Sequence, residues 1–239
     1  RGKEIWRGAT LPGSERTILA GSDGAGLFRS DDGGADWWPA DNGITYHHIR
    51  SWGVHPQAQS RMYVGTEPAM VFRSVDGGGT WHRLESLRAV PGSDRWFLPY
   101  SPRAGAVLRS EDGGDTWHLI TGTHPDVHWL VADGHVLYAA TGGGLYRSDD
   151  LGRHWTHVLR GYTRAVIAFP APASLVLAGP ARQVGKQGSI VLSRDAGNTW
   201  EDASGAIPTP MPGMIERFVS DHDTASPGVF ALLTDGTIL

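Results

Sequence analysis

Residues 74–81 read SVDGGGTW, with Ser74, Asp76, Gly78 and Trp81 at fixed spacing, and that spacing returns four more times along the chain. The other copies are SDDGGADW (Ser30, Asp32, Gly34, Trp37), SEDGGDTW (Ser110, Asp112, Gly114, Trp117), SDDLGRHW (Ser148, Asp150, Gly152, Trp155) and SRDAGNTW (Ser193, Asp195, Gly197, Trp200). Their serines are 44, 36, 38 and 45 residues apart. Each copy reads as a hairpin turn. An Asp bonds backbone N–H groups two residues on, and a following Gly accepts left-handed backbone. The Trp then opens the return strand, where its ring covers the turn and fills space between neighbouring sheets.

Two further strand-like runs lie upstream of each box. In the second repeat they are HHIRSWGVHP (47–56) and RMYVGTE (61–67), followed by MVFRS (70–74) and the box. The first repeat aligns as KEIWRGATLPG (3–13), RTILAGSD (16–23) and GLFRS (26–30). Each repeat is therefore four short antiparallel strands, A to D, with the box at the C–D turn. Repeats of about 40 residues with four strands each indicate an all-β fold of the β-propeller type. The boxes resemble the Asp-box, or BNR, repeats of the sialidase-like propeller superfamily. That family includes sialidases, xyloglucan-active hydrolases, sortilin-type receptors and photosystem II assembly factors, so the resemblance implies a fold and leaves the activity open.

The expected organisation is one propeller domain over residues 1–239, with blades at about 1–40, 41–84, 85–120, 121–160, 161–203 and 204–239. The sixth unit runs through MIERFVSDHD, GVFALLTDG and TIL without a box or a strand D. Either the native chain extends beyond Leu239, the favoured reading, or residues 1–6 double as the closing strand. Six blades are expected, or seven in a longer native chain.

The composition bounds the function classes. The 239 residues include 33 Gly, 15 Pro, 10 Trp and no Cys, and 40% are hydrophobic, enough to fill a core. Disulfides, a thiol nucleophile and Cys-ligated metal are excluded. The formal net charge is −4 without a basic stripe, so no nucleic-acid partner is expected. No run approaches the roughly 18 apolar residues of a bilayer span, so membrane insertion is not expected either. The chain opens at Arg1 with no signal-peptide pattern. The family resemblance is compatible with an extracytoplasmic setting, and the compartment stays open.

Residues recurring in every repeat serve the fold, since one ligand site does not need five copies. The box residues Asp32, Trp37, Asp76, Trp81, Asp112, Trp117, Asp150, Trp155, Asp195 and Trp200 are therefore read as structural. So is the Arg preceding four of the box serines (Arg29, Arg73, Arg109, Arg147). Ligand-binding candidates come from positions where repeats differ. In the family, function sits at the end opposite the box, where D–A and B–C loops surround the central channel. Aligning strand A puts Trp6, Arg50, Arg88, His128, Arg164 and Glu216 at one equivalent position, with Arg217 in place of Glu216 if the register slips by one. Guanidinium groups fork onto carboxylates, phosphates and sulfates, so such a ring suits an anionic ligand. The plainer reading is a solvated channel whose Arg residues pair with Glu216 and loop acids. The B–C loops add Arg182, Gln183 and Lys186 in the fifth repeat, Glu67 and Met70 in the second, Arg103 in the third and Asp23 in the first. The D–A connections ADNGITYHH (40–48) and ASGAIPTPMPG (203–213) read as long irregular loops. The 11 His give no metal pattern: His47 and His48 are adjacent, His154 and His157 are three apart, and HExxH is missing. No metal or cofactor is expected.

The resemblance to sialidases implies an Arg triad, a Tyr nucleophile with a Glu, an Asp acid/base and an Arg-Ile-Pro motif. Arg-Ile-Pro does not occur here, and LRAVP around Arg88 has the wrong spacing. Arg50, Arg88 and Arg164 could imitate the triad, and Glu216 with Tyr162 or Tyr46 the pair, which makes Glu216 and Tyr162 the weak catalytic candidates. An ordinary glycosidase needs two facing carboxyls. Glu216, Glu67, Asp23 and Asp235 lie near the expected face, and no motif marks any of them. The expectation is a non-catalytic binding or assembly scaffold, holding a protein partner or a carbohydrate or other anionic small molecule at the channel mouth. The alternative is a glycoside hydrolase of sialidase-like or xyloglucan-active type.

Overall fold

The computed structural model describes residues 5–93, 107–169, 174–220 and 228–239. They fall into two compact units, Arg1–Ala104 with Ser110–His118, and Gly105–Arg109 with Leu119–Leu239. The fold is all-β and of propeller type, a succession of small antiparallel sheets; in the three four-stranded sheets chain order and sheet order coincide.

In the first unit, strands Ile5–Thr10, Ile18–Ser22, Leu27–Ser30 and Trp38–Pro39 form one four-stranded sheet. Strands His48–His55, Ala58–Glu67, Met70–Ser74 and His82–Arg83 form the next. In the second unit, Val127–Asp133, Val136–Thr141, Gly144–Ser148 and Thr156–Arg160 repeat the plan. The fifth repeat builds on Tyr162–Phe169, Leu175–Gln183, Val191–Ser193 and Glu201–Asp202. The last described sheet pairs Ile215–Ser220 with Val229–Leu233, and Ile238 bridges back to Leu232. In the third repeat the described strands are Val107–Arg109 and His118–Ile120.

Two sequence expectations are corrected. Arg88 lies in a 3-10 helix, Glu85–Ala89, instead of on a strand A. Leu84, Leu87 and Val90 are all buried, a period of three that matches the three residues per turn of that helix. The two long connections around the fifth repeat are also not irregular. Gln183 pairs with Lys186 across a tight turn at Val184 and Gly185. Met211–Gly213 from the D–A connection then pairs with Lys186–Gly188, and Met211 is fully buried. The apolar side chains Met211 and Ile190 join the core with Ile215, Phe218 and Leu233, which explains why these segments order as strands.

The boxes are turn clasps. In all five, the Ser Oγ donates to the Asp carboxylate, at 2.6 Å in Ser74–Asp76 and 2.8 Å in Ser193–Asp195. The same Oγ accepts the N–H of the box Gly, at 2.7–2.9 Å. The Asp itself reaches N–H groups three and four residues on, as in Gly79 and Thr80, where two residues on was expected. The Ser occupies the nearer donor, so the carboxylate bridges the wider part of the loop. These bonds hold the box carboxyls below the ordinary range. In Asp195, with Thr199 and Ser193 hydroxyls and the Thr199 N–H donating, the value falls to about 2. The box Gly is left-handed in every copy, from φ 88° at Gly152 to φ 100° at Gly114.

Neighbouring repeats are stitched by the Arg before the box. Arg29 donates to Gly77 O, Arg73 to Gly113 O and Arg147 to Asn198 Oδ1, each in the next box turn. Tyr63 and Tyr138 hydroxyls reach the same turns, at Gly113 O and Ala196 O. Trp81 is buried at 2% exposure, and its Nε1 donates to Ala40 O of the preceding repeat. Trp37 keeps 43% of its surface exposed and bonds only within its own turn, to Gly34 O.

Candidate functional site

Antiparallel order puts the start of each strand A at the sheet end opposite the box turn. There the register of strand A against strand B slips at one recurring place. The slip lies between Ile5 and Arg7, Ile49 and Ser51, Val127 and Trp129, Thr163 and Val166, and Ile215 and Arg217. Trp6, Arg50, His128, Arg164 and Glu216 thus occupy bulges, the five aligned positions without Arg88. A bulge leaves one residue out of the ladder and re-aims its side chain. The Trp6 side chain and Arg103 lie outside the described residues.

Packing fixes these bulges. Ile49, just before Arg50, covers Gly21 of the preceding sheet so closely that a Cβ there would sit 2.6 Å from Ile49 Cγ2. Ile215, just before Glu216, covers Gly179 in the same way, at 2.4 Å. Both isoleucines have no exposed surface. A buried large residue held over a glycine sets the height at which the next residue leaves the strand.

In the second unit the bulge residues meet. Arg164 donates to both Glu216 oxygens, at 2.8 and 2.9 Å. Burial opposes the Arg164 charge, but its bonds to Glu216 and Tyr162 prevail and raise its pKa. The His128 ring lies 4.9 Å from the Tyr162 ring, and its Nε2 is 3.2 Å from Asp126 Oδ2. That contact is within charge range but poorly aligned, since Nε2 makes no hydrogen bond of acceptable geometry. Burial, helped by the Arg164 charge, pushes His128 below the ordinary imidazole value against the pull of Asp126 and Glu216. Arg217 lies outside this cluster of pairs and stacks its guanidinium 4.7 Å over Trp129.

The first unit has its own version. Arg50 Nε donates to Glu67 at 2.7 Å, and its NH1 is 3.5 Å from Asp23. Asp23 also contacts His48 Nδ1 at 2.5 Å. His47, just before the strand, contacts Asp41 instead. The bulge cations are thus met by acids from within each unit, the pairing foreseen in the plainer sequence reading.

The remaining candidates scatter. Arg88 is exposed and near Glu85. Met70 is buried in the core and unavailable to a ligand. Asp235 accepts the Thr237 N–H in a turn, and Lys186 and Gln183 are exposed on the added hairpin. Arg182 lines a separate hollow beside the fifth sheet. Among the described residues no group of three or more His, Asp or Glu is arranged to hold a metal. The sequence reading missed Asp126 and Trp129 as partners. The available signal was the run of polar residues His124, Asp126 and His128 at the entry to strand Val127–Asp133.

No family model and no curated protein matches the chain. Solved structures do. A crystal structure of an ancestral GH74 enzyme superposes with TM-score 0.74 at 15% identity, over 97% of this chain and 35% of the other. The GH74 xyloglucanase of Xanthomonas campestris gives 0.67 at 17%, over 98% and 44%. YCF48 bound to D1 peptide gives 0.55 at 15%, over 99% and 92%. The chain therefore spans less than half of either GH74 enzyme. At these identities the likeness establishes one thing, the β-propeller fold.

Proposed function

We propose that the protein is a non-catalytic binding or assembly scaffold, built on Asp-box (BNR) repeats in a six-bladed propeller, that holds a protein segment or an anionic or carbohydrate ligand at the bulge end of its sheets. The carrying observation is how the acids at that end are engaged. Glu216 is clasped by Arg164, Glu67 by Arg50, and Asp23 by His48 and Arg50. A glycosidase needs two carboxyls facing each other across a bond, one able to give a proton. Here Glu216 and Glu67 are each held instead by an Arg of their own unit. Such pairs on a rigid sheet end suit exchange instead, with a partner's carboxylate displacing Glu216 from Arg164. YCF48, of nearly the same length, is a protein of this fold with a bound peptide.

The GH74 likenesses keep glycoside hydrolysis as the second reading. Turnover of xyloglucan and of a panel of fluorogenic glycosides, sialosides included, separates the two. The scaffold reading expects silence from the folded protein. Turnover that disappears in Glu216→Gln would establish the hydrolase and overturn the scaffold.

A further inference from the structure

A hollow of about 430 Å³ lies beside the fifth sheet, within the size range of small-ligand sites. Its walls include Arg160, Arg182, Gln187, Ser189, Asp202 and Pro210. The segments that form it are those the sequence reading left as loops: the hairpin at Gln183 to Lys186 and the Pro-rich connection before Met211. Gly161 brings the walls together. Its φ is +104°, and a Cβ there would lie 3.2 Å from Ala181 O and 3.4 Å from Pro180 Cβ. The end of strand Thr156–Arg160 therefore runs directly against Pro180 and Ala181, which sets Arg160 on the same hollow as Arg182.

Two cationic residues, Arg160 and Arg182, line the hollow. The guanidinium groups of Arg29, Arg50, Arg73, Arg147, Arg164 and Arg194 each hold an acid. Among the described residues, the side chains of Arg160 and Arg182, like those of Arg16 and Arg61, have no hydrogen-bond or ion-pair partner. Asp202 offsets one of the two charges, leaving a net positive hollow. The Ser189 and Thr209 hydroxyls and the Gln187 amide add neutral polar groups, and Pro180, Val191 and Pro210 supply apolar wall. Arg160 and Arg182 are both exposed residues lining one space, and a single anionic group there would be attracted to both.

We propose that this hollow is a binding site for a small polyhydroxylated anion, a sugar-sized molecule bearing one carboxylate or phosphate group. Arg160 and Arg182 take the anionic group, while Gln187, Ser189 and Thr209 meet hydroxyls. The site uses none of the bulge residues and stands independently of the scaffold reading.

The test is calorimetric titration of the intact protein with glucuronate, glucose 6-phosphate and glucose at low and high salt. Either anion should bind, more weakly as salt rises, and neutral glucose should not. Whichever anion binds more tightly identifies the anionic group. Arg160→Gln and Arg182→Gln should each weaken binding by about tenfold or more, the worth of a charge-assisted hydrogen bond. Arg88→Gln should leave it unchanged. Circular dichroism of each variant keeps folding separate from binding. Binding of neither anion would overturn the proposal, as would equal binding of glucose or an affinity unaffected by both hollow variants. None of these results bears on the glycoside panel, which tests the bulge face.

Discussion

The repeat supplies a matched pair of tryptophans for measuring what the box residue does. Trp81 and Trp37 hold the same box position, but Trp81 is 2% exposed and Trp37 is 43% exposed. A fully buried Trp removes about 200 Å² from water, worth roughly 5 kcal/mol at about 25 cal/mol per Å². Large-to-small deletions of buried aromatics cost about 3–5 kcal/mol. Trp81→Ala should therefore cost about 4 kcal/mol and Trp37→Ala about 2, the gap reflecting the unburied fraction. Trp81 also loses the bond from its Nε1 to Ala40 O, which spans two repeats, whereas the Trp37 bond to Gly34 O lies within one turn. Both residues belong to the first compact unit, so one unfolding transition reports on both. Urea denaturation followed by far-UV circular dichroism gives the two losses, read as midpoint shifts at constant slope. Equal losses, or a Trp81→Ala loss below about 1 kcal/mol, would refute the inter-repeat packing role assigned to Trp81.

Two other outcomes are expected. Gly43→Ala should destabilise by more than about 2 kcal/mol in the same assay, because φ is +96° and a Cβ would meet Trp81 O at 2.1 Å; a neutral substitution would remove the argument for that close approach. Acid should weaken the fold in two windows. His128 has its folded pKa lowered, so its contribution is complete above the unfolded value of about 6.5 and is lost as pH falls below it. The box aspartates are also lowered, so theirs is complete above about pH 4 and is lost on further acidification. His128→Gln should abolish the upper window alone, and thermal melts between pH 7 and 3 would show otherwise if both windows persisted.

Much of the architecture was legible because a repeat contains its own alignment. The Ser, Asp and Gly of each box impose the same turn wherever they occur, since their hydrogen bonds close within eight residues. The strand A alignment was legible for the same reason, and Arg50, His128, Arg164 and Glu216 do share one bulge position. It failed at Arg88, where Leu84, Leu87 and Val90 bury a period of three and the chain turns into a 3-10 helix. Aligning strand A across the repeats placed Arg88 at the shared position, and the three-residue spacing of Leu84, Leu87 and Val90 was the overlooked signal.

The box turns and the four-strand plan of the repeats were thus written in local patterns of the sequence. The fate of each polar side chain was not. Whether Arg164 stands open or clasps Glu216, 52 residues away, depends on how adjacent sheets are seated. That seating follows from contacts such as Ile215 over Gly179, which no single repeat contains. The hollow at Arg160 and Arg182 has the same origin. Its walls come from three separate segments of the chain, and only their packing brings Arg160 and Arg182 to the lining of one space.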